Sequence, residues 1–152
     1  MSNLWAILAA SDGHYHFEVN GGIQKVNAAS ERMFDKWALK YPFCPVAQVD
    51  GRFDQTGVVW VESKGKRIIE ALRGFFRPPT VMFIDRTRVS ALWAISPLPL
   101  HQAVPTNERL ARLFKGRLRD ASPHDFVLDL RGCSQEWRMD AYYELDEIGA
   151  YL

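Results

Sequence analysis

Apolar positions along the chain switch between a period of two and a period near four, and the switches mark the elements. LWAILAAS opens the chain as an apolar stretch, a strand or short helix, and Ser11-Asp12-Gly13 supplies turn chemistry after it. HYHFEVN then places Tyr15, Phe17 and Val19 on one side of a strand. Met33, Trp37 and Tyr41 recur every four residues with Phe34 and Ala38 beside them, the spacing of a helix that Pro42 stops. VAQVDGRFD and GVVWVES are two β-rich stretches joined through Gln55-Thr56-Gly57, a hairpin or a pair of neighbouring strands. KGKRIIEALRGFF gathers Ile68, Ile69, Leu72, Phe75 and Phe76 on one helical face, and Pro78-Pro79 ends it.

TVMFID and RVSALWAIS predict two more strands, the second mostly apolar and therefore central. SPLPLHQAVP reads as a loop too rich in proline for either regular state. TNERLARLFKGRL predicts a helix capped by Thr106, with Leu110, Leu113, Phe114 and Leu118 aligned. DFVLDL and AYYEL are short strand candidates, and DEIGAYL a closing helical turn with Ile148 and Leu152 inward. The irregular interleaving predicts the α+β class: a mixed, mostly antiparallel sheet with about three helices packed on one side of it, in a single domain spanning residues 1–152.

Composition agrees with a packed core, since 47% of the 152 residues are apolar and 24% charged, which disfavours disorder. No apolar run approaches the roughly 20 residues that cross a bilayer, and the opening MSNLWAILAASDGHYH lacks the basic start of a signal peptide. Cys44 and Cys133 lie far apart with no second cysteine near either, so neither a disulfide framework nor a CxxC motif is present. A reduced, cytoplasmic setting without membrane partners is expected. The net charge of +1 conceals a segregation: Lys64 to Arg119 holds twelve Lys or Arg against three acids, whereas Asp120 to Leu152 holds eight acids and two bases.

Candidate chemistry follows from these patterns. His14 and His16 share a strand face, able to ligate a metal only with a third ligand, and equally at home as structural residues. Asp50 and Asp54 bracket VDGRFD, where two close carboxylates can hold a divalent cation, although Asp50-Gly51 also reads as an ordinary turn. His124, Asp125 and Asp129 make a further acidic cluster or a solvated face. Lys64, Lys66, Arg67, Arg73, Arg109, Arg112, Lys115, Arg117 and Arg119 accompany helices whose other faces are apolar, so they are left to solvent and to phosphates, or serve as ordinary solubility devices. No Walker loop, GxGxxG, GxSxG or zinc-finger spacing occurs.

Read in order, the chain resembles the primase-polymerase domains of the archaeo-eukaryotic primase superfamily, in their plasmid and phage forms. HYHFEVN resembles their early "vYf.vN" strand, VAQVDGRFD stands where their first acidic motif falls, and RPPTVMFIDRTRVSALWAIS resembles "PT.vv.SG.G.h.yW.l". NERLARLFKGRLRDASPHDFVLDLRGCSQ is similar to the following helix and "lggD...d..r.lRlPG", and AYYELDEIGAYL to the closing "Y.leel". The resemblance implies an RRM-like core, a paired acidic motif on a strand, a histidine in the second motif, a further acid, and magnesium or manganese for nucleotide transfer.

The motifs are degenerate. Asp50 and Asp54 replace two acids spaced by one residue, Ser90 stands where the histidine before Trp93 belongs, and Asp85-Arg86 replaces Ser-Gly. Asp125 or Asp129 is left for the last acid. By the resemblance, Asp50, Asp54 and Asp125 are the catalytic candidates, Asp50 and Asp54 the metal ligands, and Arg86 and Arg88 engage phosphate where the family holds its nucleotide. The resulting expectation is a replication-associated protein of a mobile element that binds DNA or nucleotides, alone or with a replication-protein partner. A small non-catalytic module that binds a partner protein is the alternative.

Overall fold

The structure, a computed structural model, describes residues 4, 8, 14–28, 30–48, 54–117, 128–138 and 140–149. Strands β1 (His14–Val19) and β2 (Gly22–Asn27) form a hairpin, followed by helix α1 (Glu31–Ala38), β3 (Phe43–Gln48) and β4 (Asp54–Lys64). Helix α2 (Arg67–Arg73), β5 (Val81–Ile84), β6 (Arg88–Pro99) and helix α3 (Leu100–Leu113) come next. Strands β7 (Ser134–Trp137) and β8 (Tyr142–Tyr143) and the short helix α4 (Leu145–Gly149) close the described chain. Seven strands lie in the order β2-β1-β3-β4-β6-β5-β7, every neighbouring pair antiparallel, and β8 adds parallel to β6. This is the expected α+β domain, with a mixed, mostly antiparallel sheet.

Alternation along the strands divides the sheet into two apolar faces. Tyr15, Phe17, Phe43, Val58, Trp60, Val81, Phe83 and Leu92 face one side and meet Phe34 and Ala38 of α1. Val59, Val61, Met82, Val89, Ala91, Trp93 and Ile95 face the other, under Leu72 of α2, Leu110 of α3 and Ile148 of α4. Helices therefore cover both faces rather than one, because the strands are apolar at odd and even positions alike and each face must be buried.

Two local readings are corrected. SPLPLHQAVP is not a loop: β6 continues to Pro99 and α3 starts at Leu100. Ala103, Thr106, Asn107, Leu110 and Ala111 form the buried stripe of α3, and the helix starts nearly two turns before the supposed Thr106 cap. Pro105 lies on the exposed side, and the carbonyl left without its N–H belongs to the exposed His101. Leu113 is likewise exposed instead of inward. The β2 strand, absent from the sequence reading, is turned by Asn20 and Gly21, whose φ angles of 52° and 80° are those of a two-residue hairpin turn. DFVLDL lies outside the described residues up to Leu128, which forms an isolated antiparallel bridge with Phe43.

Candidate functional site

The apolar face carrying Val58, Trp60 and Leu92 turns polar at one end. Strand alternation puts Glu62 two residues beyond Trp60 and Ser90 two residues before Leu92, and the β4–β6 register sets Glu62 opposite Ser90 and Lys64 opposite Arg88. Glu62 is only 9% exposed. Its carboxylate Oε1 accepts from Arg88 Nη1 at 3.3 Å and lies 3.7 Å from Arg117 Nη2.

The β5–β6 turn fixes Arg88. Asp85 Oδ1 accepts from the backbone N–H groups of Thr87 (2.8 Å) and Arg88 (2.9 Å), and Oδ2 accepts from Arg88 Nε at 2.9 Å. A second carboxylate clasp follows the Phe43–Leu128 bridge, where Asp129 accepts from the Arg131 backbone N–H (3.0 Å), Nε (2.9 Å) and Nη2 (2.8 Å). Phe43 pairs with Phe17 of β1 on one edge, so Leu128 takes its other edge, toward β4. That wedge brings Asp129 to the polar end of the face.

The charges feel one another. Burial alone raises the Asp85 carboxyl, but the two N–H donors and the Arg88 guanidinium outweigh it and hold Asp85 below the ordinary carboxylate range. Asp129 is held low by its Arg131 hydrogen bonds, against burial, with the Arg88 charge adding to them. Cys133, whose Sγ donates to Asp129 O at 3.4 Å, is pushed up by burial first and then by Asp85, with Arg88 opposing. It is therefore a thiol, not a reactive thiolate, at neutral pH.

A basic rim surrounds these pairs. Ser63 Oγ donates to Phe114 O at 2.7 Å, which fastens the end of α3, with Lys115 and Arg117, beside the Lys64 end of β4. Gly116 permits the approach, since a Cβ there would meet Val61 Cγ2 at 2.6 Å and Glu62 O at 2.8 Å. Gly65 N–H donates to Thr87 O at 3.2 Å, joining the loop before α2 to the β5–β6 turn. Lys64, Lys66, Arg67, Arg86 and Lys115 are all exposed at this end and form no ion pair among the described residues. Arg112 is exposed about one turn back along α3.

The basic candidates Lys64, Lys66, Arg67, Arg86, Arg88 and Lys115 thus gather at one end, whereas of the acidic candidates Asp50, Asp54 and Asp125 only the backbone position of Asp54 is described. Asp50, Asp125 and Arg119 lie outside the described residues. Asp54 begins β4 opposite Gln48, eight residues from Glu62 and roughly 26 Å along the strand from it. Glu62 escaped the sequence reading as a site residue, although a carboxylate at an inward position of the otherwise apolar GVVWVES was the available signal for it. Arg117 stood among the basic residues left to solvent, but its reach to Glu62 has no local mark in the sequence.

Among the described residues no group of three His, Cys, Asp or Glu is placed to hold a metal. Glu62, Asp85 and Asp129 are each paired with a guanidinium, so these three carboxylates are not free to hold magnesium or manganese. What the arrangement can do is bind anions on a positively charged rim whose carboxylates are already neutralised. None of the described helices is long and apolar enough to cross a membrane.

No family model matches the chain, and no curated protein matches it in sequence. Among solved structures, the AEP domain of the primase-polymerase of cyanophage S-2L is similar over 95% of this chain and 92% of its own, with a TM-score of 0.64 at 12% identity. The likeness lies in fold and not in residues: this chain has the fold of a phage-type archaeo-eukaryotic primase domain, the superfamily its motif order resembles.

Proposed function

We propose that this protein is a replication-associated, primase-polymerase-like protein of a mobile element, acting in the cytoplasm, that binds DNA or nucleotide phosphates at the rim around Glu62 and does not itself transfer nucleotides. The observation that carries the reading is the pairing of Glu62 with Arg88 opposite Ser90. Ser90 is the position that the resemblance assigns to a histidine. On this reading the β4 face opposite Ser90, rather than VDGRFD, is where two acids spaced by one residue would stand, and two residues before Glu62 on that face is Trp60, 1% exposed in the core. Two-metal phosphoryl transfer needs carboxylates free to clamp both ions. Here one is a tryptophan and the other is taken by arginine, while the exposed Lys64, Lys66, Arg67, Arg86 and Lys115 still offer phosphate contacts.

Binding of fluorescein-labelled single- and double-stranded DNA over a salt series tests the reading, with primer synthesis assayed in magnesium and in manganese. The expected result is affinity that falls linearly on logarithmic axes, a slope that shrinks by about 1 in Arg86→Ala or Lys64→Ala, and no primer. Primer synthesis abolished by Glu62→Gln would reverse the non-catalytic half. Absence of DNA binding at low salt would reverse the other half and favour a protein-binding module.

A further inference from the structure

We infer that a notch at the C-terminal end of α1, bounded by Lys36, Trp37, Lys40 and Tyr41, is a stacking platform for a base of single-stranded DNA. The inference rests on the DNA-binding half of the proposed function and adds a second contact point to it. The notch encloses about 240 Å³. The Trp37 and Tyr41 rings form its aromatic wall, with centroids 5.4 Å apart and planes inclined by 37°. Trp37 is propped from below by Phe17, 5.7 Å away, so its ring is held in place before any ligand arrives.

The polar groups at the notch are donors without partners. Lys36 and Lys40 are exposed and form no ion pair, and neither the Trp37 indole N–H nor the Tyr41 hydroxyl makes a hydrogen bond among the described residues. A fitting ligand brings a flat ring, acceptors and negative charge together, which is the chemistry of a nucleotide. The base must present an open face, so the strand is single. Lys36 in the last turn of α1 and Lys40 two residues past its end put two positive charges beside the ring pair, which suit the successive phosphates of a strand better than one free nucleotide. The notch also lies toward the polar end of the same sheet face: Tyr41 is two residues before Phe43, which exchanges both backbone hydrogen bonds with Leu128, the neighbour of Asp129.

The test compares wild type with Lys36→Gln, Lys40→Gln, Tyr41→Leu and Trp37→Leu, using fluorescein-labelled oligo(dT) over a salt series, dTTP in a separate arm, and melting temperature as a check of folding. Loss of either aromatic ring is expected to weaken oligo(dT) binding about ten- to hundredfold. Each lysine substitution is expected to reduce the salt slope by about 0.7, the value for one phosphate of a single strand. Trp37→Leu also loosens the core, but the exposed lysines and Tyr41 keep the test decisive if that variant does not fold. Unchanged oligo(dT) affinity and slope in folded Lys36→Gln and Tyr41→Leu, with Arg86→Ala still weakening binding, would overturn the platform and leave the DNA-binding reading intact. Loss of dTTP affinity alone in these variants would overturn the single-strand assignment. No oligo(dT) binding by wild type at low salt would overturn both readings.

Discussion

Arg88 holds Glu62 from the neighbouring strand at 3.3 Å while its Nε is held by Asp85 at 2.9 Å, so one guanidinium ties the β5–β6 turn to the interior of β4. A carboxylate whose side chain is only 10% exposed depends on that partner, because burying an unpaired charge costs several kcal/mol. Arg88 is 40% exposed and Arg117 remains nearby, which moderates the loss. Arg88→Ala is expected to destabilise by about 2 kcal/mol, and adding Glu62→Gln to recover most of it. Urea unfolding of the two single variants and the double measures the coupling, and strictly additive effects would refute it.

Asn107 gives a second prediction. A register shift between Thr56 and Val58 marks an irregularity in β4, and among the described residues the β3 ladder pairs Ala47 with Gln55 and Gln48 with Asp54. The Trp60 N–H donates instead to Asn107 Oδ1 at 2.9 Å, in a buried setting. Asn107→Leu keeps the volume and removes the acceptor, at a cost of about 1–3 kcal/mol. In a chain of this size the melting temperature should fall by roughly 3–10 °C. An unchanged melting temperature would show that the N–H finds another partner.

How much of this was legible in the sequence depends on whether a local pattern carried it. Alternation marked β1, β-rich and apolar runs marked β4, β5 and β6, and the four-residue spacing of Met33, Trp37 and Tyr41 located α1, although the residues α1 buries are their neighbours Phe34 and Ala38 and Met33 is 44% exposed. Strand β2 hid because Ile23 is 52% exposed and most of the strand faces solvent, although Asn20-Gly21 was a hairpin signal on its own. Strand β7, Ser-Gln-Glu-Trp, has no apolar period to read. Prolines misled at 97–105, where two fall near the end of a strand and the third on the exposed side of α3.

The site divides in the same way. The gathering of Lys64, Lys66, Arg67, Arg86 and Lys115 follows charge segregation along the chain, which sequence displays. The reach of Arg117 to Glu62 depends on the end of α3 lying against β4, a tertiary relation with no local mark.

Acid stability follows from the depressed carboxyls. Asp85, Asp129 and Glu136, the last held first by Arg73, all lie below their ordinary values in the folded chain. The unfolded chain therefore binds more protons in that window. Stability from these groups is full above the ordinary carboxylate values near 4 and is lost as pH falls through the lower folded values. Asp35 acts oppositely, raised by burial and with Oδ1 buried without a hydrogen bond. Asp35→Asn should stabilise at neutral pH and lose that advantage in acid, whereas Asp85→Asn should destabilise at neutral pH and flatten the acid limb. Denaturant midpoints from pH 7 to 2 distinguish them.

Gly116 tests the link between packing and binding. Its missing Cβ admits Val61 and the Glu62 carbonyl at distances no other residue tolerates, whereas at Gly74 an added Cβ meets only the Glu70 carbonyl at 3.4 Å. Gly116→Ala must push the end of α3 off β4, moving Lys115 and Arg117 from the rim. The expected outcome is lower stability, by about 1–3 kcal/mol, together with weaker DNA binding, while Gly74→Ala leaves DNA binding unchanged. Equal DNA affinity in the two variants would show that the end of α3 contributes nothing to the interface.

Metal removal separates the binding reading from catalysis. With Glu62 joined to Arg88 and Arg117, Asp85 to Arg88 and Asp129 to Arg131, a divalent ion entering the cluster must displace a guanidinium from each carboxylate it takes. Phosphate recognition by the exposed lysines and arginines requires no such exchange, and free magnesium competes with them for the same phosphates. Oligonucleotide affinity in a chelator should therefore equal or exceed that in magnesium at matched ionic strength, in wild type and in Glu62→Gln alike. Affinity that requires magnesium, and loses the requirement in Glu62→Gln, would mean that the arginines yield to a metal and that the cluster is a dormant metal centre.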